Sequence, residues 1–168
     1  MLNDQVEAAS GMLQTFVKER PLPEPEQGMG NVTSDDFVVF HLKFARGGVA
    51  TVTASMVARI NESQSFTLYG DEGTLRFIDG KILYARPDEV LHDRTPASNI
   101  VISEDMTRLY PDFAEATVYM GYALRAALEG DRLALTPAAT FVDGLHTQKV
   151  IDAISQSSRH GDSWVDVG

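Results

Sequence analysis

Between Asp36 and Arg86, short runs of alternating apolar and polar residues are separated by glycine turns, a rhythm that commits the middle of the chain to antiparallel strands. Side chains of a strand alternate between its two faces. Val38, Phe40, Leu42 and Phe44 therefore share one face, and Val39, His41 and Lys43 share the other. Arg46-Gly47-Gly48 turns the chain, and the return strand puts Ala50, Val52, Ala54 and Met56 on one face and Thr51, Thr53 and Ser55 on the opposite one, a hairpin. A third strand, Ser65 to Tyr69, runs to a turn at Gly70-Asp71-Glu72-Gly73, and Leu75 and Phe77 follow on a fourth. Asp79-Gly80 is a type I′ turn signal, because both positions reach positive φ at low cost, and Ile82, Leu83 and Tyr84 form the fifth strand. The pattern predicts one meander of five strands.

The two faces of that meander differ in kind. Thr51, Thr53, Ser55, Ser65 and Thr67 are uncharged where a fully solvated face carries Lys, Glu and Arg. One reading is a subunit or domain interface lined by small hydroxyls, and the other is ordinary threonine enrichment on a pleated surface. Helices account for the opposite, apolar face. From Tyr110 to Glu129, Phe113, Thr117, Met120, Gly121, Leu124 and Leu128 recur at three- and four-residue spacing, with Pro111 in the first turn and Gly130 at the exit. A second helix is expected from a Thr136 N-cap and Pro137 to about Arg159.

In that second helix Phe141, Val142, Leu145, Val150, Ile151, Ala153 and Ile154 cover a broad arc, and Asp143, His146 and Lys149 fall inside it at about 100° per residue. Neighbours three residues apart meet on a helix surface, and a buried charge without a partner is strongly unfavourable. Asp143 and His146 are thus either ligand-facing or a structural pair against the sheet edge. The flanks read more simply. Val6 to Val17 is expected as a strand interrupted by Gly11, and 19–30, with its prolines and glycines, as a loop. Residues 87–107 read as irregular, with a short strand at Ile100-Val101-Ile102, and Ser163 to Val167 as a terminal strand.

Composition narrows the function classes. The 168 residues suit one domain, with a formal net charge of -10 and no block of Lys and Arg, so phosphate backbones and anionic lipid surfaces are poor partners. The absence of cysteine excludes disulfides and thiolate metal sites within the sequence, and a reducing, cytoplasmic home is expected. No signal-peptide pattern opens the chain, and no apolar run approaches the ~20 residues of a membrane span. His41, His92, His146 and His160 are scattered without metal-ligand spacing, and neither a nucleophile elbow nor a P-loop is present. Gly28 and Gly30 lack the strand-to-helix context of a dinucleotide fingerprint.

Several stretches, taken in order, resemble the C-terminal domain of the glucose-fructose oxidoreductase, inositol dehydrogenase and MocA (Gfo/Idh/MocA) family. They are Val32-Thr33-Ser34-Asp35-Asp36-Phe37, Gly47-Gly48, Tyr69-Gly70-Asp71-Glu72-Gly73-Thr74-Leu75, the run from Asp143 to Ile154, Ser157-Ser158 and Trp164-Val165. The resemblance implies an α+β domain with a largely antiparallel open sheet, helices packed on one face and the other face available for oligomerisation.

It further implies hydride transfer at a sugar, inositol or related polyol held between this domain and an N-terminal Rossmann domain that binds NAD or NADP. That fingerprint, the Glu-Lys-Pro motif and the later Asp and His motif are absent from the sequence. Residues 1–168 are therefore expected to be a single C-terminal substrate-binding and oligomerisation domain without catalytic residues or bound cofactor, inactive by itself. A free-standing, non-catalytic interaction or ligand-binding module derived from the same fold is the alternative. The expected contribution to a substrate cleft comes from Arg59 and Asn61, at the end of a sheet strand, with Asp143 and His146.

Overall fold

The computed structural model describes the chain apart from residues 1–3, 24, 26, 61–63, 98–99, 110–112 and 137. In chain order the elements are strands β1 (Val6–Gln14), β2 (Glu19–Pro21), β3 (Met29–Asn31), β4 (Phe37–Phe44), β5 (Val49–Ser55), β6 (Ser65–Gly70), β7 (Gly73–Ile78), β8 (Lys81–Ala85) and β9 (His92–Asp93). They are followed by helices α1 (Glu104–Leu109), α2 (Ala114–Leu128) and α3 (Phe141–Arg159), then strand β10 (Val165–Asp166). The chain forms two compact units, residues 1–59 with 139–168, and residues 60–138.

The first unit is built on an antiparallel sheet in the order β10-β1-β4-β5. Its register follows the alternation in the sequence, with Leu13 opposite Val38, Gly11 opposite Phe40, and Phe40 opposite Val52. Helix α3 covers the face that carries Val38, Phe40 and Leu42, and its stripe Val150, Ala153, Ile154 and Ser157 has the i, i+3, i+4, i+7 spacing of a packed face. Ala9, Ala153, Ile154 and Val167 form the buried centre.

Gly11 does not interrupt β1 but sits inside it, because the helix comes close there. A Cβ at Gly11 would lie 2.7 Å from Phe40 Cβ and 3.1 Å from Ile154 Cγ2, so only glycine fits. Phe141, Val142, Leu145 and Ile151, the rest of the broad apolar arc, remain exposed. Val52 is likewise only partly covered.

The start of α3 differs from the expected Thr136 and Pro137. Thr140 is the N-cap: its hydroxyl accepts the Asp143 N–H at 3.4 Å, and the Asp143 carboxylate accepts the Thr140 N–H at 2.7 Å. That reciprocal pair satisfies two otherwise open donors and moves the helix start four residues on, past a series of turns closed by Thr136 N–H to Leu133 O and Ala138 N–H to Leu135 O. Pro137 itself lies outside the described residues.

The proline- and glycine-rich segment expected as a loop carries a small hairpin, with Glu19 opposite Asn31 and Pro21 opposite Met29. Proline is accommodated there because the strands are short and exposed. At the hairpin's base the Asp36 carboxylate accepts the Phe16 and Val17 N–H groups, both at 2.8 Å.

The second unit holds an antiparallel sheet in the order β6-β7-β8-β9. Phe66, Phe77 and Ile82 align across it, as do Leu68, Leu75 and Tyr84, and the Phe66 and Phe77 rings stack with centroids 5.4 Å apart. The Asp79-Gly80 turn has φ of 51° and 73°, the double positive φ that a type I′ turn requires. Helix α2 ends where Gly130 was expected to end it, its N–H bonded to Ala127 O; Tyr110 and Pro111 lie outside the described residues.

The five strands read as one meander are thus divided between two sheets, β4 and β5 in the first unit and β6, β7 and β8 in the second. Residues 87–107 contain β9 and the start of α1, and Ile100, Val101 and Ile102 form no strand. Local alternation identifies each strand but carries no information about which strands become neighbours.

Candidate functional site

Helix α3 does more than cover the sheet. β10 pairs with β1 only at Ala8 and Ala9, which leaves N–H groups along the outer edge of β1 without a strand partner. Side chains of α3 meet them: Val6 N–H donates to His146 Nε2 at 3.3 Å, Gly11 N–H to Ser157 Oγ at 3.0 Å, and Leu13 N–H to Ser158 Oγ at 3.0 Å. Ser157 is fully buried and its hydroxyl donates a hydrogen bond to Ser163 O at 2.6 Å, tying the edge, the helix and the closing segment together. Each of the three bonds to β1 removes the cost of an unpaired backbone donor.

The beginning of that edge borders a cavity of about 830 Å³, inside the first unit. His146 and Lys149 line it from α3, Glu7 from β1, Lys43 from β4, and Trp164 and Asp166 from the closing segment. The Lys43 ammonium lies 4.1 Å from the centroid of the Trp164 ring, a cation–π contact, and Lys149 Nζ donates to Gly168 O at 2.7 Å. A second cavity of about 500 Å³, an apolar groove between α3 and β4, shares Val6 and His146 as its wall. Because His146 Nε2 accepts the Val6 N–H, the neutral ring carries its proton on Nδ1. The arrangement mixes acidic, basic and aromatic groups around an open cavity, a surface suited to polar recognition.

Of the residues singled out from the sequence, Arg59 does not come together with His146 and Asp143 here. His146 lines both cavities. Asp143, one turn earlier, is engaged in the helix cap: its carboxylate accepts the Thr140 hydroxyl at 2.7 Å as well as the Thr140 N–H. The Thr140 hydroxyl and then its backbone N–H hold the Asp143 carboxyl below the usual aspartate range, with His146 a weaker contributor. Arg59 is exposed and follows β5, whose Ser55 end pairs with Phe37, whereas His146 stands at the Val6 and Phe44 end of the sheet. Asn61 lies outside the described residues.

Lys43 and Trp164 were not legible as neighbours, since 121 positions separate them and only the pairing of β1 with both β4 and β10 brings them together. Lys149 was visible as a polar residue inside an apolar arc, the same signal that drew attention to His146. Among the described residues no group of three or more His, Asp or Glu side chains is placed to hold a metal ion, and no helix is long and apolar enough to cross a membrane. Every strand pair among them is antiparallel, and none leads through a glycine turn into a helix. The strand-turn-helix cradle on which a Rossmann domain seats a pyrophosphate is thus not found among the described residues.

Comparison with known proteins places this architecture. Residues 1–76 match the family model described as the GFO/IDH/MocA C-terminal domain. Glucose-fructose oxidoreductase domain-containing protein 2 of Xenopus laevis is 31% identical over 179 residues, a match covering 99% of this chain and 45% of that protein. The chain thus spans about half the length of the curated relatives it matches.

Among solved structures, an oxidoreductase domain protein from Kribbella flavida superposes with a TM-score of 0.73 at 25% identity, over 98% of this chain and 46% of that one. Levoglucosan dehydrogenase in complex with NADH and L-sorbose does so with a TM-score of 0.66 at 26% identity, over 98% and 46%. The class is an α+β domain of the kind found in oxidoreductases. Within that class, the chain is similar to C-terminal domains of the Gfo/Idh/MocA family, whose model matches residues 1–76.

Proposed function

We propose that the chain is the substrate-binding and oligomerisation domain of an NAD(P)-dependent oxidoreductase acting on a sugar, inositol or related polyol, with an N-terminal Rossmann domain of the same polypeptide as its partner. The observation that carries this reading is the superposition of 98% of the chain on 46% of levoglucosan dehydrogenase, a protein solved with NADH and a sugar. Hydride transfer needs a nicotinamide held against the substrate carbon and a proton-transfer group within hydrogen-bond reach of the hydroxyl. In this reading both come from the Rossmann side, and this domain supplies one wall of the cleft.

His146, which lines both cavities, is the foremost cleft residue. Arg59, Asn61 and Asp143 complete the proposed set. The uncharged, exposed row Thr51, Thr53 and Ser55 on β5 is the proposed contact with a second copy of the chain, and a cytoplasmic location belongs to the same reading. Ser65 and Thr67, grouped with that row in the sequence, stand in the other sheet.

Isothermal titration of residues 1–168 with NADH and with NADPH, in parallel with the full-length protein, tests the division of labour. Binding by the full-length protein alone is expected. Micromolar binding by the 168-residue chain would refute the claim that the cofactor is held elsewhere, and its absence from both proteins would favour the alternative, a non-catalytic interaction or ligand-binding module.

A further inference from the structure

We draw no further inference here: the strongest candidate, the apolar groove between α3 and β4 lined by Leu13, Val38, Phe40, Leu42, Val150 and Ile151, carries nothing because nothing in the structure shows what covers it.

Discussion

Replacing Ser157 with alanine tests the claim that α3 completes the edge of β1. The side chain is fully buried and holds two bonds, accepting from Gly11 N–H at 3.0 Å and donating to Ser163 O at 2.6 Å. Alanine leaves a buried donor, Gly11 N–H, unpaired at about 1–3 kcal/mol, and a part-buried acceptor, Ser163 O, at about 1–2 kcal/mol. Together these put the loss at about 2–5 kcal/mol, a large share of the roughly 5–15 kcal/mol that stabilises an ordinary domain. With a urea dependence of about 2 kcal/mol per molar, the unfolding midpoint should fall by about 1–2.5 M.

The chain has a single tryptophan, Trp164, located in the same unit beneath Lys43, so its fluorescence reports the unfolding of that unit and not of the other. Ser158→Ala is the internal comparison. It removes one half-buried bond, to Leu13 N–H, and should cost only about 1 kcal/mol. A Ser157→Ala midpoint within about 0.2 M of the unaltered protein would refute the reasoning, since the edge would then be held by other contacts.

The pH dependence of the hairpin base offers a second test. Hydrogen bonds from Phe16 and Val17, opposed by desolvation, hold the Asp36 carboxyl below the usual aspartate range. A depressed folded value contributes stability above the unfolded pKa and loses it as pH falls through the folded one, so the relevant window lies below about pH 4. Asp36→Asn should lower the urea midpoint at pH 7, with the gap to the unaltered protein narrowing at pH 3 and below; a gap of equal size at both would contradict the assignment. In the full-length protein, His146→Ala should reduce kcat/KM about tenfold, equivalent to about 1.4 kcal/mol of transition-state binding, and unchanged kinetics would reduce His146 to an edge cap. Thr53→Glu places a charge on the exposed row of β5 and should halve the mass seen by light scattering if that row joins two copies; an unchanged mass at equal concentration would show the row is solvated.

Much of the fold was legible because its signals are local. Alternation around Phe40 and Val52 set their shared face, and Asp79-Gly80 marked a turn whose positive φ values follow from the residues themselves. The start of α3 was misplaced for a reason equally local in kind: Thr136-Pro137 and Thr140 with Asp143 are both plausible starts, and the second wins because its bonds are reciprocal. The candidate site was legible only in part. His146 stood out as a polar residue in an apolar arc, but its partner Val6 is 140 positions away and offers only a backbone N–H, a group every non-proline residue carries.

What the sequence determined by itself, then, is the long strands β1 and β4 to β8, the course of α2 and α3, and the faces of the β4-β5 hairpin, because periodicity and turn chemistry act over a few residues. Tertiary structure alone decided that the five central strands divide between two sheets and that α3 meets the edge of β1 through His146, Ser157 and Ser158. It also decided that Lys43 comes to rest over Trp164. Those outcomes depend on which unpaired donors and exposed rings become neighbours once the backbone closes, and no local pattern encodes that choice.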